Sequence, residues 1–191
     1  MKITVEARGS WEDVKNVARN TVHKDPTVGE PSEQFKWNIA DGEHSPLRAR
    51  WYLVRMEGIP TFVSVHLVRH KVGVEHFVSS NREDRGGDAK ADRMTPVNHV
   101  MLINAAALQF ISRRRLCLLA HEQTRIVWFQ VVQAVREFDP EVADTCLPMC
   151  LYRGGYCHEA HGCGRFGRLP QMRMSELRDF FRDRDRKAVQ E

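Results

Sequence analysis

The stretch Ile59-Pro60-Thr61-Phe62-Val63-Ser64-Val65-His66-Leu67-Val68-Arg69-His70-Lys71 decides how this chain is read. Pro60 suits the first turn of a helix, because its missing N–H would find no partner there anyway. A helix is therefore expected from Thr61 to His70, with Gly73 as its C-terminal stop. Upstream, Arg50 to Met56 (RWYLVRM) is aromatic and apolar enough for a strand, which Gly58 would end. On the expected helix, His66, Arg69 and His70 fall at i, i+3 and i+4 and so share one face, with Lys71 directly after.

Further out, Lys2 to Glu6 alternates polar and apolar and reads as a strand. Ser10 with Asp13 three residues on forms a capping pair for a helix over Trp11 to Val22. Residues 23–48 hold many turn formers, and an irregular segment carrying little core is expected. Residues 79–95 are charged and glycine-bearing and read as a loop. From about Val97 to Phe138 the pattern is helical almost throughout, as one helix or two, until Asp139-Pro140 ends it. Ser175 to Lys187 reads as a terminal amphipathic helix. The whole, residues 1–191, is expected to be a single domain, with a cysteine-rich segment over 140–170 inside it.

Of the 191 residues, 42% are hydrophobic and 28% charged, a globular composition. The net charge of +4 fits an anionic small ligand as well as a nucleic acid. No run approaches the roughly 20 apolar residues of a membrane span. Val100 to Ile111, the most apolar stretch, is broken by Asn104 and Gln109 and runs into Arg113-Arg114-Arg115. The start, MKITVEARG, lacks the apolar core of a signal peptide. A soluble, cytoplasmic protein with no membrane partner is expected, its cysteines thiols or metal ligands rather than disulfides. Walker A, G-x-G-x-x-G, G-x-S-x-G and H-E-x-x-H motifs are all missing. A nucleotide cofactor would then have to be held by side chains at a subunit interface.

Three clusters carry chemistry. Cations converging near His66, Arg69, His70 and Lys71 can bind a phosphate or the edge of a flavin ring. They can equally answer the macrodipole at a helix C-terminus. In the second cluster, a helix would put Arg114, Leu118, His121 and Arg125 on one stripe and Arg115 with Glu122 on the next. A partly buried arginine there needs an anionic or carbonyl partner, either a ligand or an internal acid such as Glu122. The third is Cys146-x3-Cys150-x6-Cys157-His158-x2-His161-x-Cys163. Four thiols, or three with His158 or His161, could hold a structural zinc, or the thiols could simply pack.

The Ile59–Lys71 stretch resembles the helix leading into the R-H-R signature of the flavin-dependent thymidylate synthases. Glu43-His44-Ser45-Pro46-Leu47-Arg48 resembles that family's earlier flavin-contacting segment. Asn104-Ala105-Ala106-Ala107-Leu108, then Arg115, then Ala120-x4-Arg125 resembles its long helix with N-A-R-x-L and A-Q-x-E-I-R. The blocks occur in family order over about residues 43 to 135.

The resemblance implies an α/β (α+β) fold, an antiparallel sheet flanked by long helices, assembled as a homotetramer. It implies FAD as cofactor, a dUMP-like nucleotide as substrate, and methylenetetrahydrofolate and NADPH as co-substrates. The activity it implies is transfer of a one-carbon unit to C5 of dUMP, yielding dTMP, without a protein cysteine attacking the ring. Residue by residue, Arg69, His70, Lys71, Ser45 and Asn104 would contact the flavin. His66, Ser79, Ser80, Arg82, Arg85 and Arg93 would hold the nucleotide. Arg115 would bind the uracil carbonyl as the catalytic cation. Lys71 stands in place of the signature's second Arg, and Ala106 in place of the Arg of N-A-R. Gly73 to Arg85 lacks the usual S-x-N-E-x-S-x-R-Y continuation. These departures mark a divergent, viral-like branch and keep a second reading open, a flavin enzyme that modifies another pyrimidine nucleotide, for example by hydroxymethylation. A third reading is a zinc-stabilised nucleic-acid module, but the chain lacks an aromatic-interleaved basic face, so no stable nucleic-acid partner is expected. Cys146, Cys150, Cys157 and Cys163 are the expected zinc ligands.

Overall fold

The computed structural model describes residues 1–165 except Ala89, Tyr156, His158 and Ala160. The helix expected at Ser175–Lys187 lies outside the described residues. The chain forms two compact units, Met1–Met149 and Cys150–Glu191. The first holds a four-stranded sheet in the order β1-β2-β4-β3, with every pairing antiparallel. Its strands are β1 (Lys2–Arg8), β2 (Trp51–Pro60), β3 (Val74–Val78) and β4 (Pro96–Asn104). Its principal helices are α1 (Trp11–Asn20), α2 (Glu33–Asp41), α3 (Thr61–Leu67), α4 (Ala105–Arg115), α5 (Glu122–Arg136) and α6 (Pro140–Asp144). This is the mixed α/β class expected, and no helix among the described residues is long and apolar enough to cross a membrane.

Local sequence signals hold where their partners are close by. The Ser10–Asp13 capping box forms in full, with Asp13 N–H donating to Ser10 Oγ at 3.0 Å and Ser10 N–H to the Asp13 carboxylate at 2.7 Å. The Ser10 hydroxyl, donating to the carboxylate at 2.7 Å, and then the Ser10 amide hold the Asp13 carboxyl below its usual range.

Four expectations are corrected. The first eight residues of the expected 97–138 helical stretch belong to the central strand β4. Val97, His99, Met101 and Ile103 alternate inward; all four pair with β2, and His99, Met101 and Ile103 pair with β3 as well. Their period of two wins over helical content because a central strand satisfies its backbone on both edges. The helical remainder is two helices, as the sequence allowed, and because they part between Arg115 and Glu122 the stripe Arg114-Leu118-His121-Arg125 does not form. Residues 23–48 are not coreless. Ser32 caps α2, and Ile39, Ala40 and Leu47 enter the core. Gly58 does not end β2. At φ +66° it forms an irregularity between Met56 and Ile59, after which pairing with β4 resumes.

The core lies between the inward face of the sheet and α3, α4 and α5. Tyr52, Val54, Met56, Met101 and Ile103 meet Val63, Leu67, Leu108, Ile111, Trp128 and Val131 there. Buried polar ties fix the helices. Trp128 Nε1 donates to Ser112 Oγ at 2.8 Å, joining α5 to α4. Gln109 Nε2 donates to the Ala40 carbonyl at 2.9 Å and to Thr145 Oγ1 at 2.6 Å, joining α4 to α2 and to the end of α6.

Candidate active site

Helix α3 is shorter than the sequence implies. It ends at Leu67, so Arg69, His70 and Lys71 leave the helical face they were expected to share with His66 and form the bend before β3. Gly73, at φ +72°, turns the chain back. A Cβ there would stand 2.7 Å from Asn104 Nδ2, so only glycine lets the bend close against the start of α4.

The bend delivers the His70 ring to Arg115, the last residue of α4. Arg115 Nε donates to His70 Nε2 at 3.0 Å, and its terminal guanidinium nitrogen donates to the His66 carbonyl. Since Nε2 accepts, the neutral His70 ring carries its proton on Nδ1. Burial, with the Arg115 charge second, lowers its pKa to about 4, so the ring is neutral at physiological pH. Among the described residues, no protein group meets that Nδ1–H. His66 turns inward, and its Nδ1 pairs with Thr124 Oγ1 of α5 at 2.9 Å. Burial foremost, then the Arg115 and Arg69 charges, lower its pKa.

The Arg115 guanidinium is half-buried. Burial and, secondarily, the charge of Arg69 make its protonated form less favourable. Among the described residues, no carboxylate comes within ion-pair distance of Arg69, Lys71, Arg93 or Arg115. The internal acid considered for Arg115, Glu122, is not its partner. Arg113, by contrast, pairs with Glu43. Arg69, Arg93 and Arg115 thus gather their charges at His66, and Arg115 also meets the neutral His70 ring.

Beside it, Phe62 forms the hub of an aromatic group. Its ring centroid lies 4.6 Å from that of His121 and 5.7 Å from that of His66, and the Arg93 guanidinium sits 5.3 Å over it. Thr124, Phe62 and His121 were not foreseen as site residues, because only the packing of α3 against α5 brings them together.

A second feature lies at the far end of β3. An open cleft of about 610 Å³ is lined by Ser79, Ser80, Asn81, Arg85 and Gly87, among others. A Cβ on Gly87 would come 2.3 Å from the Asn81 carbonyl carbon, so the loop closes only with glycine there. Ser79, Ser80 and Arg85, expected at a phosphate, all line this cleft. Arg82 does not, and its guanidinium grips Asp84 through two bonds of 2.9 and 2.7 Å.

The remaining expected residues are spread more widely. Asn104 is buried and its Oδ1 caps α4, accepting from Ala107 N–H at 2.8 Å. Ser45 is exposed at the first residue of the 3-10 turn Ser45–Ala49, and Lys71 is exposed in the bend. Among the described residues, no group of three or more His, Cys, Asp or Glu side chains is placed to hold a metal ion. Cys146 is buried in the first unit, and burial pushes its thiol pKa up to about 12. A version of the site using His158 falls outside the described residues.

No protein-family model matches the sequence, and no curated protein matches it either. Solved structures do match in shape. Thymidylate synthase X from Helicobacter pylori, solved with FAD and dUMP, superposes with a TM-score of 0.63 at 13% identity, covering 76% of this chain and 99% of that one. A UMP/dUMP methylase, PolB, from Streptomyces cacaoi, bound with 5-Br dUMP, gives 0.58 at 14% identity, covering 75% and 94%. The fold is that of the flavin-dependent thymidylate synthases.

Proposed function

We propose that this protein is a flavin-dependent enzyme that transfers a one-carbon unit from methylenetetrahydrofolate to C5 of dUMP, with NADPH as reductant. One observation carries the reading. Arg69, Lys71, Arg93 and Arg115 have no carboxylate partner among the described residues, the charges of Arg69, Arg93 and Arg115 act together on the His66 ring, and Arg115 also holds His70 with its Nδ1–H uncommitted. That donor set suits the oxygens and ring nitrogens of a flavin and the carbonyls of a uracil. Bound flavin would supply hydride transfer. The chain's own residues bind and orient. Arg69, His70 and Lys71 hold the cofactor, with Ser45 and Asn104 at its margin. Arg115, fixed by His70 and the His66 carbonyl, directs its remaining N–H groups at negative charge developing on the uracil ring. Ser79, Ser80 and Arg85 take the phosphate.

Purified protein is expected to be yellow or to bind added FAD at micromolar concentration. The double variant Arg69→Ala/His70→Ala should lose that binding while keeping its far-UV circular dichroism. Unchanged FAD affinity in the double variant would sink the assignment. A preference for UMP over dUMP in a competition titration would favour the second reading, a different pyrimidine nucleotide. What favours that alternative is His66, whose Nδ1 is committed to Thr124 Oγ1 and leaves only Nε2 for a base.

The site is proposed to be completed between subunits of a homotetramer. The His70 bend and the Ser79–Arg85 cleft lie at opposite ends of β3, whose five residues span about 16 Å. A mononucleotide is shorter than that, so one chain's phosphate cleft would serve another chain's Arg115. Phe110 of α4 and Ile126 and Phe129 of α5 are exposed apolar side chains suited to such contacts. Light scattering should give a tetramer, and Phe129→Asp should dissociate it with loss of nucleotide binding. A monomer with full binding would contradict the shared site.

A further inference from the structure

Two histidines take no part in the function proposed above, yet both lie on the inward face of the sheet. His99 on β4 is fully buried, and His76 on β3 sits diagonally across from it, since His76 pairs with Met101 and His99 with Val78. Their rings are 5.1 Å apart, with His76 Nδ1 and His99 Nε2 at 3.0 Å. His99 Nδ1 lies 3.0 Å from the buried hydroxyl of Ser64 on α3, and His76 Nε2 lies 2.8 Å from the backbone carbonyl of His70.

The partners dictate every proton. A carbonyl only accepts, so His76 Nε2 carries the hydrogen and its Nδ1 accepts. His99 must then donate from Nε2, which leaves its Nδ1 to accept from the Ser64 hydroxyl. The result is a one-way chain, Ser64 to His99 to His76 to the His70 carbonyl. It requires both rings neutral. Burial lowers the pKa of each, His99 to about 4; at His76 the bond to the His70 carbonyl opposes the shift, Lys71 adds to it and Glu75 opposes it. The charged group beyond the His70 end of the chain is Arg115.

Burying two imidazoles where valine or leucine would pack costs free energy unless the hydrogen bonds do something for the fold. What they hold is the bend. Among the described residues, the backbone from Arg69 to Val72 has one other backbone hydrogen bond, His70 N–H to the Leu67 carbonyl at 3.1 Å.

We propose that His76, backed by His99 and Ser64, is a positioning residue that pins the His70 carbonyl and so aims the His70 ring at Arg115 and the bound ligand. That the ligand is a flavin rests on the function proposed above, whereas the relay does not. The test uses the full chain labelled with 15N-histidine, read for ring tautomers by NMR at neutral pH, alongside FAD titration. Wild-type protein should show His76 and His99 as Nε2–H tautomers and His70 as the Nδ1–H tautomer. In His76→Phe, His70 should become a tautomer mixture and FAD affinity should fall about tenfold, the order expected for one lost buried hydrogen bond. His76→Gln, which keeps an N–H where the ring had one, should restore both readings to within about twofold. His99→Leu should turn His76 into a tautomer mixture, which keeps the proposal testable if His76→Phe does not fold. A single His70 tautomer with unchanged affinity in His76→Phe would overturn the proposal, as would His76→Gln behaving like His76→Phe. Wild-type protein that binds no FAD but shows the three tautomers would reject the function and leave the relay standing.

Discussion

Arg115→Ala is expected to lower kcat/KM for dTMP formation by about 10²–10³-fold, the usual loss when a preorganised donor to a developing oxyanion is removed. The geometry makes the loss specific. Arg115 spends Nε–H on His70 and one terminal nitrogen on the His66 carbonyl, which leaves the other terminal nitrogen uncommitted among the described residues. Arg115→Lys should be nearly as damaging, because a single ammonium cannot reproduce a fork that holds two protein acceptors while presenting a third direction to ligand. The side chain ends a helix and is half-exposed, so thermal stability should change little. Steady-state assays with dUMP, paired with thermal melts, provide the check. A kcat/KM within threefold of wild type in Arg115→Ala would remove Arg115 from the mechanism.

The largest stability effect is expected at Asp139. Its carboxylate is buried and collects four donors. Trp11 Nε1 (2.8 Å) and an Arg50 terminal nitrogen (3.0 Å) reach Oδ1, and Arg50 Nε (2.8 Å) and the Tyr52 hydroxyl (2.9 Å) reach Oδ2. Arg50 also donates to the Gly9 carbonyl, so this one carboxylate ties the β1–α1 turn, β2 and the start of α6. Asp139→Ala leaves the Arg50 guanidinium charged, buried and without its counter-ion. Breaking such a pair from one side costs about 3–5 kcal/mol, seen as a drop in melting temperature on the order of 10 °C. Urea unfolding of Asp139→Ala, Arg50→Met and the double variant would measure it. The double variant should lose less than the two singles together, since removing both charges removes the unpaired one. A loss below about 1 kcal/mol in Asp139→Ala would mean water reaches the site and solvates Arg50.

Asp139 also shows where sequence reading stops. Asp139-Pro140 was legible as a helix stop, and α5 does end just before it. That the same aspartate neutralises an arginine 89 positions away was not legible, because nothing local distinguishes it from a solvated cap. The same division runs through the site. The bend Arg69-His70-Lys71, the phosphate-loop serines and Arg115 could be picked out from the chain in order. Their mutual geometry could not. His70 meets Arg115 only because β4 is a strand, which turns α4 back along the sheet. The helical reading of Val97 to Asn104 missed that turn, since a run of mostly apolar residues satisfies either period until its neighbours are known. His76 and His99 left no signal of their own, sitting 23 residues apart and meeting only through the β3–β4 register.

By itself the sequence determined the capping of α1, the start of α3 after Pro60 and the order of the charged blocks. Each of these is settled by backbone sterics or by a hydrogen bond within a few residues. The tertiary structure alone decided which arginine is buried, which imidazole is neutral and which proton each ring carries. Those properties depend on the dielectric and on the partners that distant strands and helices bring into contact, and no local stretch of chain encodes them.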